Sequence, residues 1–236
     1  MTRAAPHASE LSALLRSAGA EAIEIPTVAI ADPPGGFEPL QQACAAIDSF
    51  DWIVFTSATA VERVRPMIEP DVAKWSARVA SVGRATASAL SPRQAELVAQ
   101  GATGSALVEA FPAGSGRVLL PQSAIAGPTV ADGIRAKGWT VEVVAAYTTV
   151  TLALDDRALS GASTAQAICF ISASSVRGWV AGGGAELTPS VVITIGPSTS
   201  AAAAAAGLSV TVEATERSLG GVVDALVLHR GSGYAG

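Results

Sequence analysis

The sequence predicts a doubly wound α/β protein of two domains, and three observations carry that prediction. Short β-branched runs alternate with Ala-rich stretches of helical spacing along the chain, which is a βαβ rhythm. Strand candidates such as Ile53 to Phe55 are apolar at every position, as expected where helices cover both faces of a parallel sheet. The chain also repeats itself. FTSATAV from Phe55 answers FISASSV from Phe170 at four of seven positions. ASVGRATASA (80–89) answers ITIGPSTSAA (193–202), and ATGSALVEAF from Ala102 answers ATERSLGGVVDAL from Ala214. Ser57 to Gly83 is 26 residues and Ser172 to Gly196 is 24; three paired segments in one order point to an internal duplication.

The strands are expected at 51–56, 78–82, 117–120, 140–147, 167–171, 191–195 and 209–212, each followed by a helix or a turn. ADPPGGFEP (31–39) breaks the chain, because paired prolines and glycines continue neither a helix nor a central strand. A weaker break falls near LALDD (152–156). A further unit, GRVLLPQSAIAGPTVADGIRAKGWTVEVV (116–144), holds strand, loop, helix and strand, and its IRAKGWTV resembles LRSAGAEA at 15–22. Gly138 and Gly19 fit left-handed caps at the ends of those two helices. Aligning the two glycines places the partner of strand 117–120 before Met1, so the first strand of the first domain is expected to be missing from this chain. In an open sheet that strand is central, and its loss leaves neighbouring edges to be managed.

At 236 residues, half of them apolar, the chain can build two modest cores without staples. Cys44 and Cys169 stand in apolar runs with no metal-ligand spacing and read as buried, inert thiols, which suits a reducing cytoplasm. The N-terminus lacks the apolar core of a signal peptide, and no apolar run is long enough to span a membrane. With a net charge of −5, two lysines and scattered arginines, there is no basic patch to hold nucleic acid. A cytoplasmic protein bound to neither membrane nor nucleic acid is the expectation.

Chemistry is expected where the repeats agree. Ser57 and Ser172 follow strand ends and open helices, where a hydroxyl caps a free N–H and the helix dipole favours an anion. Thr86 and Thr199 are read as occupying similar places after Gly83 and Gly196. Ligands of open α/β sheets bind outside the carboxyl ends of the strands, so these loops predict a cleft lined by hydroxyls and backbone N–H groups. His7 and His229 stand near the two ends with no Ser/His/Asp pattern. No HExxH, CxxC or carboxylate cluster suggests a metal, and neither AGSGR (113–117) nor GGGAE (182–186) has the frame of a nucleotide-phosphate loop. The expectation is an activity without cofactor, in which binding and orienting a reactive substrate supply most of the rate.

FTSATAV, SVGRAT, VLLPQSAIAGPTVADGIRAKGWTVEVVAAYTTV and ITIGPSTSAAAAAAGL followed by ATERSLGGVVDAL resemble the uroporphyrinogen-III synthase family in order and spacing, and TRAAPHASELSALLRSAGAEAIEIPTVAI is similar to its opening. The resemblance covers residues 2 to about 228. It implies two flavodoxin-like domains joined by a two-stranded linker. Domain 1 is then 1–31 plus 151–236, domain 2 is 38–147, and 32–37 and 148–150 are the linker strands. It further implies a monomeric cyclising lyase that acts on a small molecule. Linear hydroxymethylbilane loses its ring A hydroxyl and closes to uroporphyrinogen III with inversion of ring D, through a spiro intermediate.

On this resemblance Tyr147, in AYTTV, faces the cleft and hydrogen-bonds the departing hydroxyl. Thr56, Ser57, Thr86, Ser172 and Thr199 match the cleft positions that hold the substrate's acetate and propionate groups. Arg3 and Arg84 are expected to pair with carboxylates. Ile171 stands where the other repeat has the hydroxyl of Thr56. A non-catalytic, ligand-sensing module of the same fold is the alternative; such modules are joined to a DNA-binding domain, and no basic recognition helix follows residue 228.

Overall fold

The computed structural model describes residues 8–68 and 75–232. The chain divides into two compact units, Met1–Ile30 with Val150–Gly236 (unit 1) and Ala31–Thr149 (unit 2). In chain order the elements begin with α1 (Ala8–Ser17), β1 (Val28–Ala31) and α2 (Glu38–Ala45). Unit 2 continues with β2 (Trp52–Phe55), α3 (Ala58–Val64), β3 (Arg78–Ser81), α4 (Arg84–Ala89), β4 (Leu97–Val98), α5 (Gly104–Ala110), β5 (Arg117–Ser123), α6 (Thr129–Arg135) and β6 (Thr140–Thr151). Then follow α7 (Asp156–Thr164), β7 (Ala167–Phe170), α8 (Ala173–Ala181), β8 (Val191–Thr194), α9 (Pro197–Ala205), β9 (Val212–Glu213) and α10 (Leu219–Ser232) of unit 1.

The six-stranded sheet has the order β1-β6-β5-β2-β3-β4, of which β2 to β5 lie wholly in unit 2. The pairs β2/β3, β2/β5, β3/β4 and β5/β6 are all parallel. Side-chain alternation sends β2 both ways: Ile53 and Phe55 pack with Leu40 and Cys44 of α2 and with Val61 and Val64 of α3. Trp52 and Val54 pack on the other face with Leu107 of α5 and Ile134 of α6. A continuously apolar strand is therefore what a sheet covered on both sides requires. Residues 32–37 form no strand; Gly36 N–H closes a turn onto the Pro33 carbonyl at 3.0 Å, with Gly35 and Gly36 at φ 92° and 81°. The strand beside β6 lies just upstream, at Val28–Ala31, because Pro33 and Pro34 have no N–H to give to a ladder.

Unit 1 has the sheet β7-β8-β9, also parallel. Leu11 and Leu15 of α1 and Val222 of α10 cover Cys169 and Ile193 on one face. Trp179 and Val176 of α8, Ala162 of α7 and Ala203 of α9 cover Ile168, Phe170 and Val192 on the other. β9 is shorter than expected and sits later, at Val212–Glu213. By the repeat, β7, β8 and β9 answer β2, β3 and β4. The flank of β2 that β5 fills in unit 2 corresponds in unit 1 to a cavity of about 1320 Å³ lined by Ala167 and Ile168 together with Ala22 and Ile25. Thr2 and Arg3, which the repeat aligns with the end of β5, lie outside the described residues. Gly19 and Gly138 end α1 and the α6 turn at φ 83° and 99°, as the two left-handed caps require.

Helix α8 approaches the chain at Thr27 so closely that a Cβ on Gly178 would lie 2.5 Å from the Thr27 carbonyl oxygen. The Thr27 hydroxyl donates to the Ser175 carbonyl at 3.0 Å in the same seam. Ala in place of a helical Gly is ordinarily stabilising; here the contact reverses the sign. Gly178→Ala is expected to lower unfolding free energy by about 1–3 kcal/mol in urea titrations.

Both cysteines are buried. Burial pushes the Cys44 thiol up to about 11 and raises that of Cys169 as well. The neutral thiol is favoured in the folded chain, so its contribution is intact below the ordinary thiol pKa of about 8.5 and is lost as pH rises towards the folded value. Neither thiol is expected to react with an aromatic disulfide reagent at pH 8 until the chain is unfolded in denaturant; fast labelling of the native protein contradicts this.

Candidate functional site

In unit 2 the carboxyl edge of the sheet is built from two strand-to-helix junctions and from β6. β2 ends at Phe55, the backbone stays extended through Ser57 (φ −157°, ψ 151°), and α3 starts at once. Ser57 is its cap: Oγ accepts the Ala60 N–H at 3.1 Å. The same oxygen lies 3.1 Å from the Tyr147 phenol oxygen. Tyr147 reaches it because the β5/β6 register shifts between Gln122 and Ser123, setting Tyr147 opposite Ser123. The Tyr147 carbonyl is held by Ala124 N–H at 2.8 Å. Since Ser57 Oγ already accepts a backbone N–H, its own hydrogen can serve the phenol oxygen, which leaves the phenol hydrogen for a ligand.

The second junction turns at Gly83, the cap residue of α4. A Cβ there would meet the Ala102 methyl at 3.1 Å, so the loop before α5 lies across the turn. Ala102 itself adopts φ 51°. Thr86 is one turn inside α4 rather than at its cap, 5% exposed, and among the described residues no hydrogen bond reaches its hydroxyl. Thr56 is half-buried and Arg84 exposed on the first turn of α4.

Unit 1 repeats the arrangement with different chemistry. Ser172 (φ −161°, ψ 153°) caps α8, accepting Ser175 N–H at 3.1 Å, and its Oγ sits 3.0 Å from Ser174 Oγ. Gly196 opens α9, and Thr199, 1% exposed, again lies inside the helix with no hydrogen bond to its hydroxyl among the described residues. Ser200 Oγ lies 2.7 Å from Thr194 Oγ1 and 2.5 Å from Glu213 Oε2. Across the Gly196 turn runs Arg217, its Cγ 3.3 Å from where a Cβ on Gly196 would stand.

Of the site residues named from the sequence, Ser57 and Tyr147 touch, and Thr56, Arg84 and Thr86 share their edge of unit 2. Ser172 and Thr199 share the edge of unit 1. Arg3 lies outside the described residues. The two threonines are not caps, as expected above, because glycine holds that place in both repeats. The Ser200, Thr194, Glu213 cluster and Arg217 were missed. The repeat paired Ala102 with Ala214, but the caps set the true correspondence three residues later: Thr103 accepts Ala106 N–H at 3.1 Å, and Ser218 accepts Gly221 N–H at 3.0 Å. Matching caps rather than letters finds Arg217 opposite Ala102. Among the described residues no His, Cys, Asp and Glu cluster could hold a metal ion, and no helix is long and apolar enough to cross a membrane.

Residues 9–224 match the family described as uroporphyrinogen-III synthase HemD. The chain belongs to the uroporphyrinogen-III synthase family. A relative from Synechococcus elongatus, a uroporphyrinogen-III synthase, is 33% identical over 245 aligned positions, covering 95% of this chain and 92% of that one. The fold is shared with a solved mutant uroporphyrinogen III synthase of Thermus thermophilus, 18% identical, covering 98% of this chain and all of that one at a TM-score of 0.67. It is shared too with the Helicobacter pylori enzyme, 15% identical, with 87% and 92% coverage and a TM-score of 0.62. Family members thus keep the two-domain α/β architecture at low identity, with the repeated strand-to-helix junctions inside the matched span.

Loss of either serine cap frees a helix N–H. Ser57→Ala and Ser172→Ala are each expected to cost about 1 kcal/mol of stability, read from denaturant midpoints at unchanged slope.

Proposed function

We propose that this chain cyclises hydroxymethylbilane to uroporphyrinogen III with inversion of ring D, as a monomeric, cofactor-independent enzyme of the cytoplasm that needs neither membrane nor nucleic acid. The observation that carries the reading is the 33% identity to a uroporphyrinogen-III synthase along nearly the whole of both chains. The division into domain 1 (1–31 with 151–236) and domain 2 (38–147) belongs to the same proposal.

Tyr147 is the proposed catalytic residue. Its phenol donates to the ring A hydroxyl as the C–O bond breaks, so that water leaves and an azafulvenium cation remains on the bilane. Ring D attacks that cation, and the spiro intermediate opens and recloses with ring D turned. The proton lost from the ring D carbon that forms the new bond restores the aromatic pyrrole and the neutral phenol. Ser57 supports this role by holding the phenol oxygen at 3.1 Å. Thr56, Arg84 and Thr86 in unit 2 and Ser172 and Thr199 in unit 1 are proposed to hold acetate and propionate groups. The place of Thr86 and Thr199 on the first turns of α4 and α9, at the carboxyl edges of the two sheets, supports that assignment. Uncatalysed closure gives the type I isomer, so rate and product both depend on holding one folded geometry of the bilane.

Freshly generated hydroxymethylbilane should give type III uroporphyrinogen with this protein, and type I alone sinks the reading. Tyr147→Phe is expected to lower kcat about 10² fold at unchanged melting temperature. Full turnover by Tyr147→Phe, with loss on Thr199→Ala, would move the chemistry from the phenol to the hydroxyls.

A further inference from the structure

The end of β5 carries a polar residue that the core does not explain. Alternation along the strand sends Val118 and Leu120 into the core shared with Leu107 of α5 and Val130 of α6. Gln122 is next in that row and pairs with Ala145 of β6. It is 7% exposed, yet among the described residues no hydrogen bond reaches its side-chain amide. A buried amide ordinarily has a partner, and an apolar side chain of the same length would fill the place without that cost.

The amide is not walled in. Among the described residues the wholly buried side-chain polar atoms without a partner are Trp75 Nε1 and Arg93 Nε. Gln122 contributes none, so its amide is the end of the side chain that reaches the surface, while its stem is held in the core. The strand fixes where that surface lies. Ser123, the next residue and the last of β5, stands opposite Tyr147 at the point where the register shifts. Gln122 therefore presents its amide at the carboxyl edge of unit 2, one residue from the partner of the proposed catalytic tyrosine and on the other face of the sheet. A buried stem limits the directions in which the amide can point, as a recognition group requires.

What the amide takes follows from what the other side chains named at this edge give. Tyr147, Ser57, Thr56, Thr86 and Arg84 all have hydrogens to donate, which suits carboxylates. A linear bilane also carries pyrrole N–H groups, and these need an acceptor. The side-chain carbonyl of Gln122 is an acceptor with no hydrogen of its own. We infer that Gln122 is a binding residue that accepts a pyrrole N–H of the bilane at the carboxyl edge of unit 2. The inference rests on the function proposed above for its ligand. A closed macrocycle turns its N–H groups inward, so the contact is made to the open chain and is lost on closure, which favours release of the product.

Gln122→Met keeps the length of the side chain and removes the amide, and Gln122→Leu is a second apolar variant. Each should raise KM for hydroxymethylbilane about fivefold with kcat within about twofold, the loss of one neutral hydrogen bond. The melting temperature should equal or exceed that of the wild type, since no protein group loses a partner. A binding arm runs without turnover: calorimetric titration with a linear bilane bearing methyl in place of its hydroxymethyl group should show the same weakening of about fivefold. Uroporphyrin III, which keeps the acetate and propionate groups with its N–H groups turned inward, should bind variant and wild type within about twofold. Equal weakening for both ligands puts a carboxylate on Gln122 and overturns the assignment. Bilane affinity within about twofold of wild type overturns it too, and a lowered melting temperature with that result makes Gln122 a structural residue. Gln122-dependent bilane binding by a protein that forms no type III product keeps the contact and overturns the function instead.

Discussion

A parallel strand that runs straight into a helix leaves the first N–H groups of that helix without partners, and everything at the carboxyl edges of this protein follows from how those groups are met. At Ser57 and Ser172 the backbone stays extended for one residue past the strand and the side chain turns back to accept an N–H. At Gly83 and Gly196 the residue is bare, and another loop can come down onto the turn. The first kind of junction places a hydroxyl at a fixed height above the sheet. The second admits a neighbour within van der Waals contact. Tyr147 reaches the first kind, and the side chains of Ala102 and Arg217 lie over the second, so the capping demand and the placement of neighbouring side chains are one constraint.

Much of this was legible in the letters. The apolar run of β2 announced a strand covered on both faces, and Ser57 and Ser172 announced caps, because each is decided by a few neighbouring residues. Gly19 and Gly138 were readable for the same reason. Failures arose where the decisive contact is distant in sequence. The strand beside β6 sits at Val28–Ala31 rather than at 32–37, since ladder partners and not local breakers settle where pairing ends. Thr86 and Thr199 looked like helix starts, and their burial one turn inside depends on the preceding glycine being the cap. The contact of Ser57 with Tyr147 spans 90 residues and needs the register shift in β5/β6, of which nothing in the local sequence speaks.

The two units differ at the carboxyl edges of their sheets. Thr56 in one is Ile171 in the other, and the Ser57 hydroxyl meets a phenol while that of Ser172 meets only Ser174. Unit 2 fills the flank of β2 with β5, whereas the described residues of unit 1 leave a cavity beside β7. A duplicated scaffold has kept its backbone solution and varied its side-chain chemistry between the copies: the phenol of Tyr147 meets one serine cap and a second serine meets the other.

The residue ahead of the last cap in each unit bears on how such a chain can change over evolutionary time. Its backbone is anchored by the cap that follows, and its side chain touches one glycine and then solvent. Ala102 and Arg217 show that a methyl and a guanidinium are both accepted there. Such a position can exchange its side chain while the buried cores of the two units keep their residues.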